Sequence, residues 1–170
     1  MSELHEAVTT LKGDSTLETL PPPRTQEEQE ELLDVKKRRA AKSVLVVEDN
    51  EINRVMMLKQ LEVLGYSAVV ARNGQEVLQK WQNGQFDLVL TDCHMPIMDG
   101  YEMAQSLRRT EADEGRKRTP IIAVTANALP GESKKCLAYG MDAYISKPVE
   151  IRLLEAKIVH FQCLSLRFMN

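Results

Sequence analysis

The run "VLVV", Val44 to Val47, is followed at once by Glu48 and Asp49. An unbroken aliphatic and β-branched run, without polar alternation, suits a strand covered on both faces, the pattern of a parallel sheet flanked by helices. Such sheets arise from strand and helix in alternation, so each short apolar run should be followed by an amphipathic segment. From Ser43 onward the chain obeys that rule five times.

The strands expected are 44–48 ("VLVVE"), 66–71 ("YSAVVA"), 86–92 ("FDLVLTD"), 120–126 ("PIIAVTA") and 143–146 ("AYIS"). Between them lie "NEINRVMMLKQLEVLG", with Met57, Leu61 and Leu64 on one face and Gly65 as its stop, and "NGQEVLQKWQNG", burying Val77, Leu78 and Trp81. A third helix is read over 99–109, with "TEADEGRKRT" after it as a charged loop. Helices over 130–140, with Pro130 in its first turn, and 149–161 complete the set. Five strands and five helices in about 120 residues imply an α/β, doubly wound five-stranded parallel sheet of the flavodoxin-like (βα)5 kind, strand order 2-1-3-4-5.

The first 42 residues read differently. "GDSTLETLPPPR" is polar and ends in prolines that favour an extended spacer. Thr25 and Glu28 then form a capping box opening "TQEEQEELLDVKKRRAAK", whose only apolar anchors are Leu32, Leu33 and Val35. Residues 1–42 are therefore read as a Pro-rich linker or marginal helix, 43–161 as the domain, and 162–170 as a tail. Leu164, Leu166, Phe168 and Met169 give that tail the means to dock.

Composition narrows the function. The net charge of -3 gives no nucleic-acid surface, and the basic run Lys36 to Arg39 is offset by the acids from Glu27 to Glu31, so both read as solvated linker. Cys93, Cys136 and Cys163 make no CxxC framework, and His5, His94 and His160 make no zinc constellation with them. His5 and His160 read as surface residues, Cys93 as a filler, and Met95, Met98 and Met103 as packing. No apolar run reaches the roughly 18 residues of a membrane span, and a signal peptide is lacking; a cytoplasmic chain is expected, with the membrane part of any membrane protein it belongs to lying outside it.

Ligands of doubly wound sheets bind at the carboxyl ends of the strands. Strand one ends in Glu48 and Asp49, strand three in Asp92, strand four at Thr125, and strand five at Lys147 and Pro148. Three carboxylates at one sheet edge repel unless a cation compensates, and an all-oxygen set favours Mg²⁺. A carboxylate beside Mg²⁺ can attack a phosphoryl group, needing no base because it is already ionised at neutral pH. Lys147 would add a second positive clamp and the Thr125 hydroxyl a hydrogen bond.

The set "VVEDN", "LVLTDCHMPIMDG", "AVTANA" and "ISKP" closely resembles the receiver domain of two-component response regulators, over Ser43 to Phe161. The resemblance implies Asp92 as phospho-acceptor. It implies Mg²⁺ held by Asp49, Asp92 and the backbone carbonyl of His94, with Glu48 acting through water. It also implies Thr125 and Lys147 as phosphoryl contacts, Tyr144 as an aromatic switch, His94 and Asn127 as tuners of phosphate lifetime, and a cis Lys147–Pro148 bond. "EDNEIN", "PIIAVTANA" and "GMDAYISKP" look most like receivers attached to hybrid sensor histidine kinases. The implied partners are a histidine kinase as donor and a histidine-phosphotransfer domain as recipient, reached through the face after Thr125. The chain would catalyse only its own phosphorylation and dephosphorylation. Alternatives are a free-standing regulator, a receiver-like binding module, or a Mg²⁺-dependent phosphohydrolase of the haloacid-dehalogenase kind. The last needs an acid two residues after the nucleophile, where His94 stands.

Overall fold

Ser43–Val47 (β1), Ser67–Ala71 (β2), Leu88–Asp92 (β3), Ile121–Thr125 (β4) and Ala143–Ser146 (β5) form one parallel sheet in the order β2-β1-β3-β4-β5. The computed structural model describes residues 22–127 and 129–167, with side chains to Gln162. Its helices are Gln26–Ala40 (α1), Glu51–Leu64 (α2), Gly74–Asn83 (α3), Gly100–Glu114 (α4), Pro130–Ala138 (α5) and Ile151–Arg167 (α6). His5 and the tail residues Phe168 and Met169 lie outside the described residues, as do the side chains of Cys163, Leu164 and Leu166.

The unbroken apolar strands are explained by two cores. On one face Leu45, Val47, Val89, Ile121 and Ala123 pack against Val77 and Trp81 of α3, Tyr101, Met103 and Leu107 of α4, and Cys136 of α5. On the other, Val44, Val46, Leu88, Leu90, Ile122 and Val124 meet Met57 and Leu61 of α2 and Leu154 and Ile158 of α6. Each fully buried aliphatic side chain here contributes about 1.5–3 kcal/mol relative to exposure. The methionines serve packing as read, with Met103 and Met95 in the first core and Met98 against it.

Capping residues aim the helices away from the strand ends. Asn50 Oδ1 accepts from the Asn53 N–H at 3.1 Å, Asn73 Oδ1 from Glu76 at 3.0 Å and Asp99 Oδ1 from Glu102 at 2.9 Å. Gly100, the first residue of α4, touches the backbone of β3: a Cβ there would lie 2.4 Å from the Asp92 carbonyl oxygen. Backbone atoms cannot swing aside as a side chain can. Gly100→Ala is therefore expected to cost about 1–3 kcal/mol, read as a lower urea midpoint with unchanged slope; a wild-type midpoint would contradict the close packing.

Two expectations are corrected. The third helix does not stop at 109 but runs to Glu114, so half of the supposed charged loop is helical. Its face continues from Leu107 to the buried Glu111, and Gly115, at φ +64°, closes it by donating to the Glu111 carbonyl. The last helix likewise passes 161 and reaches Arg167. In the leader, of the two readings, linker or marginal helix, the helix is present over Gln26–Ala40 with no buried residue, and its capping box forms, Glu28 N–H donating to Thr25 Oγ1 and Thr25 N–H to Glu28 Oε2.

The chain divides into two units, with residues to Leu32 in the first and Leu33 onward in the second. Within the second, Arg39 is not a solvated linker charge. Its guanidinium meets Glu155 at 2.7 Å, donates to the Leu64 carbonyl at 3.0 Å and lies 5.3 Å from the centre of the Tyr66 ring. That satisfies a carbonyl at the end of α2 and adds a cation–π contact. Among the described residues, no helix is long and apolar enough to cross a membrane.

Candidate functional site

Parallel strands in register deliver their last residues to one edge. Val47 pairs with Thr91, Asp92 with Val124, and Thr125 with Ser146, so Glu48, Asp49, Asp92, Thr125 and Lys147 all fall at the carboxyl end of the sheet. The carboxylates of Glu48, Asp49 and Asp92 come within 4.8 Å of one another. Glu48 is fully buried, Asp92 nearly so and Asp49 exposed. An oxygen-only cluster of this kind, open on the Asp49 side, fits a hard divalent cation such as Mg²⁺ better than zinc.

Lys147 reaches into this cluster. Its ammonium donates to Asp92 Oδ2 at 2.9 Å and to Glu48 Oε2 at 3.1 Å. Burial favours the neutral acid and raises the Glu48 pKa, even though Lys147 and the Asn50 N–H stabilise the carboxylate. For Lys147 burial alone would lower the pKa, but the hydrogen bonds and charges of Asp92 and Glu48 outweigh it and raise the value. The ammonium therefore stays charged at neutral pH. The Lys147–Pro148 bond is cis, as read from the sequence, and the Lys147 N–H donates to the Thr125 carbonyl at 2.8 Å.

The other candidate residues take outer positions. His94 donates its N–H to Asp92 Oδ1 at 3.2 Å, while its imidazole is exposed. The Thr125 hydroxyl sits at the end of β4 but is engaged by Asn127, whose N–H donates to it at 3.1 Å. Tyr144, on β5 opposite Ala123, is partly exposed. Ile97, at φ +72°, bends the loop between Asp92 and α4, a conformation uncommon for a β-branched residue. Neither that strain nor the contact of Gly100 with Asp92 has a signal in residue type alone, although "MDG" marks the turn.

Cys93 is buried as the filler reading required, and burial pushes its thiol up to about 12. What the sequence reading missed is its neighbour: Cys136 Sγ lies 4.0 Å away. The spacing of forty-three residues hides a pair that only the fold brings together.

Comparison with known proteins agrees with this geometry. The family model of the response regulator receiver domain matches residues 44–159. Hybrid signal transduction histidine kinase G of Dictyostelium discoideum is 39% identical over 127 residues, which is 74% of this chain and 4% of that protein. Sensor histidine kinase RcsC of Escherichia coli is 40% identical over 112 residues, 66% of this chain and 11% of that protein. The chain thus spans only a small part of these relatives.

Among solved structures, the receiver domain of Saccharomyces cerevisiae Ssk1, in complex with the histidine phosphotransfer protein Ypd1, aligns with TM-score 0.68 and 31% identity, covering 73% of this chain and 90% of that one. The receiver domain of sensor histidine kinase PA1611 of Pseudomonas aeruginosa, with magnesium coordinated in its active site cleft, aligns with TM-score 0.64 and 33% identity, over 71% of this chain and 96% of that one. Strand order, the acids and lysine at the strand ends, and the family match agree: the chain belongs to the response regulator receiver domain family.

Proposed function

We propose that Asp92 accepts a phosphoryl group from a phospho-histidine in a phosphorelay, and that the chain is the receiver part of a hybrid sensor histidine kinase. The observation that carries this reading is the Lys147 ammonium held between Asp92 and Glu48, with Asp49 alongside. An Asp92 oxygen attacks phosphorus, the phosphorus–nitrogen bond breaks as the new phosphorus–oxygen bond forms, and the donor imidazole leaves. Lys147 is placed to neutralise charge on the transferring group, and Thr125 to donate its hydroxyl once it turns from Asn127. Asp49, Asp92 and the His94 carbonyl would hold Mg²⁺, with Glu48 acting through water; when bound, that cation supplies further charge compensation. The magnesium in the PA1611 receiver supports this assignment.

The donor would be a histidine kinase and a further partner a histidine-phosphotransfer domain, as the relatives and the Ssk1–Ypd1 complex suggest. Tyr144 would change position as Thr125 moves, shifting a two-state equilibrium at the exposed face of α5 and β5. Incubation with Mg²⁺ and acetyl phosphate tests the chemistry by intact mass: one phosphoryl group is gained by the native chain and none by Asp92→Asn. Absence of gain with the native chain under this and other donors would favour the receiver-like binding module.

His94 and Asn127, each two residues from a site residue, would flank the path of the hydrolytic water and set phosphate lifetime. Replacing both is expected to change the dephosphorylation rate, followed by loss of the phosphorylated mass with time. An unchanged rate would remove them from this role.

A further inference from the structure

Beneath the loop that follows Asp92 lies a second group of metal-binding side chains, which phosphoryl chemistry does not use. Cys93 ends up against α5, where Cys136 and, one turn earlier, Glu132 face it. The two sulfurs and a Glu132 oxygen lie within 4.8 Å of one another, with both cysteines buried. The Tyr101 hydroxyl donates to the Glu132 carboxylate and also bonds the two thiols, so an incoming cation would displace it from them. His94 Nε2 stands 3.9 Å from Glu132 Oε1, at the mouth of the group, and its side chain is 67% exposed.

The distance between the thiols excludes one use of the pair and leaves room for another. A disulfide requires sulfurs about 2.05 Å apart, whereas here they are 4.0 Å apart. A tetrahedral zinc with bonds of about 2.3 Å to sulfur holds its two sulfurs about 3.8 Å apart. At 4.0 Å the two thiols make a sulfur–sulfur hydrogen bond, and the separation is already near the one a tetrahedral zinc would need. Two thiols, a carboxylate and an imidazole also form a donor set that selects zinc-like ions and is poorly suited to magnesium. Burial keeps the thiols protonated, so their protons would leave only as the cation arrives.

We propose that Cys93, Cys136, Glu132 and His94 form a binding site for zinc or a similarly soft divalent cation, joining the loop after β3 to α5. Cys93, Cys136 and Glu132 are already gathered; the Tyr101 hydroxyl would give way to the cation, and His94 would complete the set by side-chain rotation. An occupied site would tie the phospho-acceptor loop to the helix that follows Thr125 and would draw the His94 imidazole inward.

Cobalt reports this site directly. The reduced full chain, carrying Cys163→Ser so that only the buried pair can respond, is titrated with Co²⁺ in saturating Mg²⁺. Expected is one Co²⁺ per chain, with thiolate-to-cobalt charge-transfer absorption and the intense visible bands of tetrahedral coordination, both bleached by Zn²⁺. Cys93→Ala with Cys136→Ala should abolish the charge-transfer band. Glu132→Gln, which leaves the buried sulfurs in place, should weaken binding by about tenfold or more, and circular dichroism verifies that each variant is folded. No charge-transfer band at stoichiometric cobalt would overturn the proposal. So would a band that survives in the double cysteine variant, or an affinity unchanged in both Glu132→Gln and His94→Ala.

Discussion

Lys147→Ala is expected to slow phosphorylation by acetyl phosphate by about 10²–10³-fold, the loss typical of removing one preorganised positive or hydrogen-bonding group from a developing anion. The physical reason is visible without any ligand. Glu48 is buried and its pKa is already raised by burial, while Asp92 shares the same ammonium. Without Lys147 the site holds three close acids with no fixed cation, and no ammonium is left to neutralise the transferring group.

The sign of the pH dependence follows from the raised Lys147 pKa. Its contribution to stability is complete below the ordinary lysine value of about 10.4 and is lost as pH rises through the higher folded value. Unfolding midpoints of native and Lys147→Ala chains, measured without divalent cations, should therefore differ at neutral pH and converge in strong alkali. A rate within about threefold of native at saturating Mg²⁺ would be far smaller than the loss expected of a charge clamp.

Arg108→Met should have the largest effect on stability and little on the site. At the opposite end of the sheet the Arg108 guanidinium meets Glu111 at 2.8 Å and Asp142 at 2.8 Å, and donates to the carbonyls of Thr119 and Gly140, each at 2.8 Å. The acids are engaged in turn. Glu111 accepts from the Thr119 N–H at 2.7 Å and Asp142 from the Ile121 N–H at 2.8 Å, so one arginine ties α4, the start of β4 and the turn before β5 together.

Removing one partner of a buried ion pair leaves an uncompensated charge and costs about 3–5 kcal/mol. Asp142 keeps Arg118 at 2.9 Å, which places the expected loss toward the lower figure, while Glu111 has no such second cation among its described contacts. Urea unfolding measures this as a lower midpoint with unchanged slope. Phosphorylation of the remaining folded chain should proceed as in the native protein. A loss below about 1 kcal/mol would mean that the network behaves like a surface pair.

These two residues mark what the sequence could and could not convey. Lys147 was legible because it ends a strand, and parallel register carries every strand end to one edge. The apolar runs of β1, β3 and β4 and the polar residues that end them are local features, so the order of the sheet and the residues at its rim could be read from them. Arg108 and Glu111 were not legible in the same way, since the polar stretch after Leu107 resembles a loop unless Gly115 is taken as the helix stop. Their value lies in partners eight to thirty-four residues away. Cys93 and Cys136 failed for the same reason, as did Arg39, whose partner Glu155 is on the far side of the sequence. Thr125 shows a different limit: its position was clear, but its hydroxyl is turned to Asn127.

The most direct test of Asp92 as acceptor is to locate the acyl phosphate. The chain is phosphorylated with acetyl phosphate and Mg²⁺, reduced with borohydride, which converts an aspartyl phosphate to homoserine, and digested for peptide mass mapping. Homoserine at position 92, and nowhere else, is the result expected. Reduction at Asp49 or at another carboxylate, with position 92 unchanged, would contradict the assignment of Asp92.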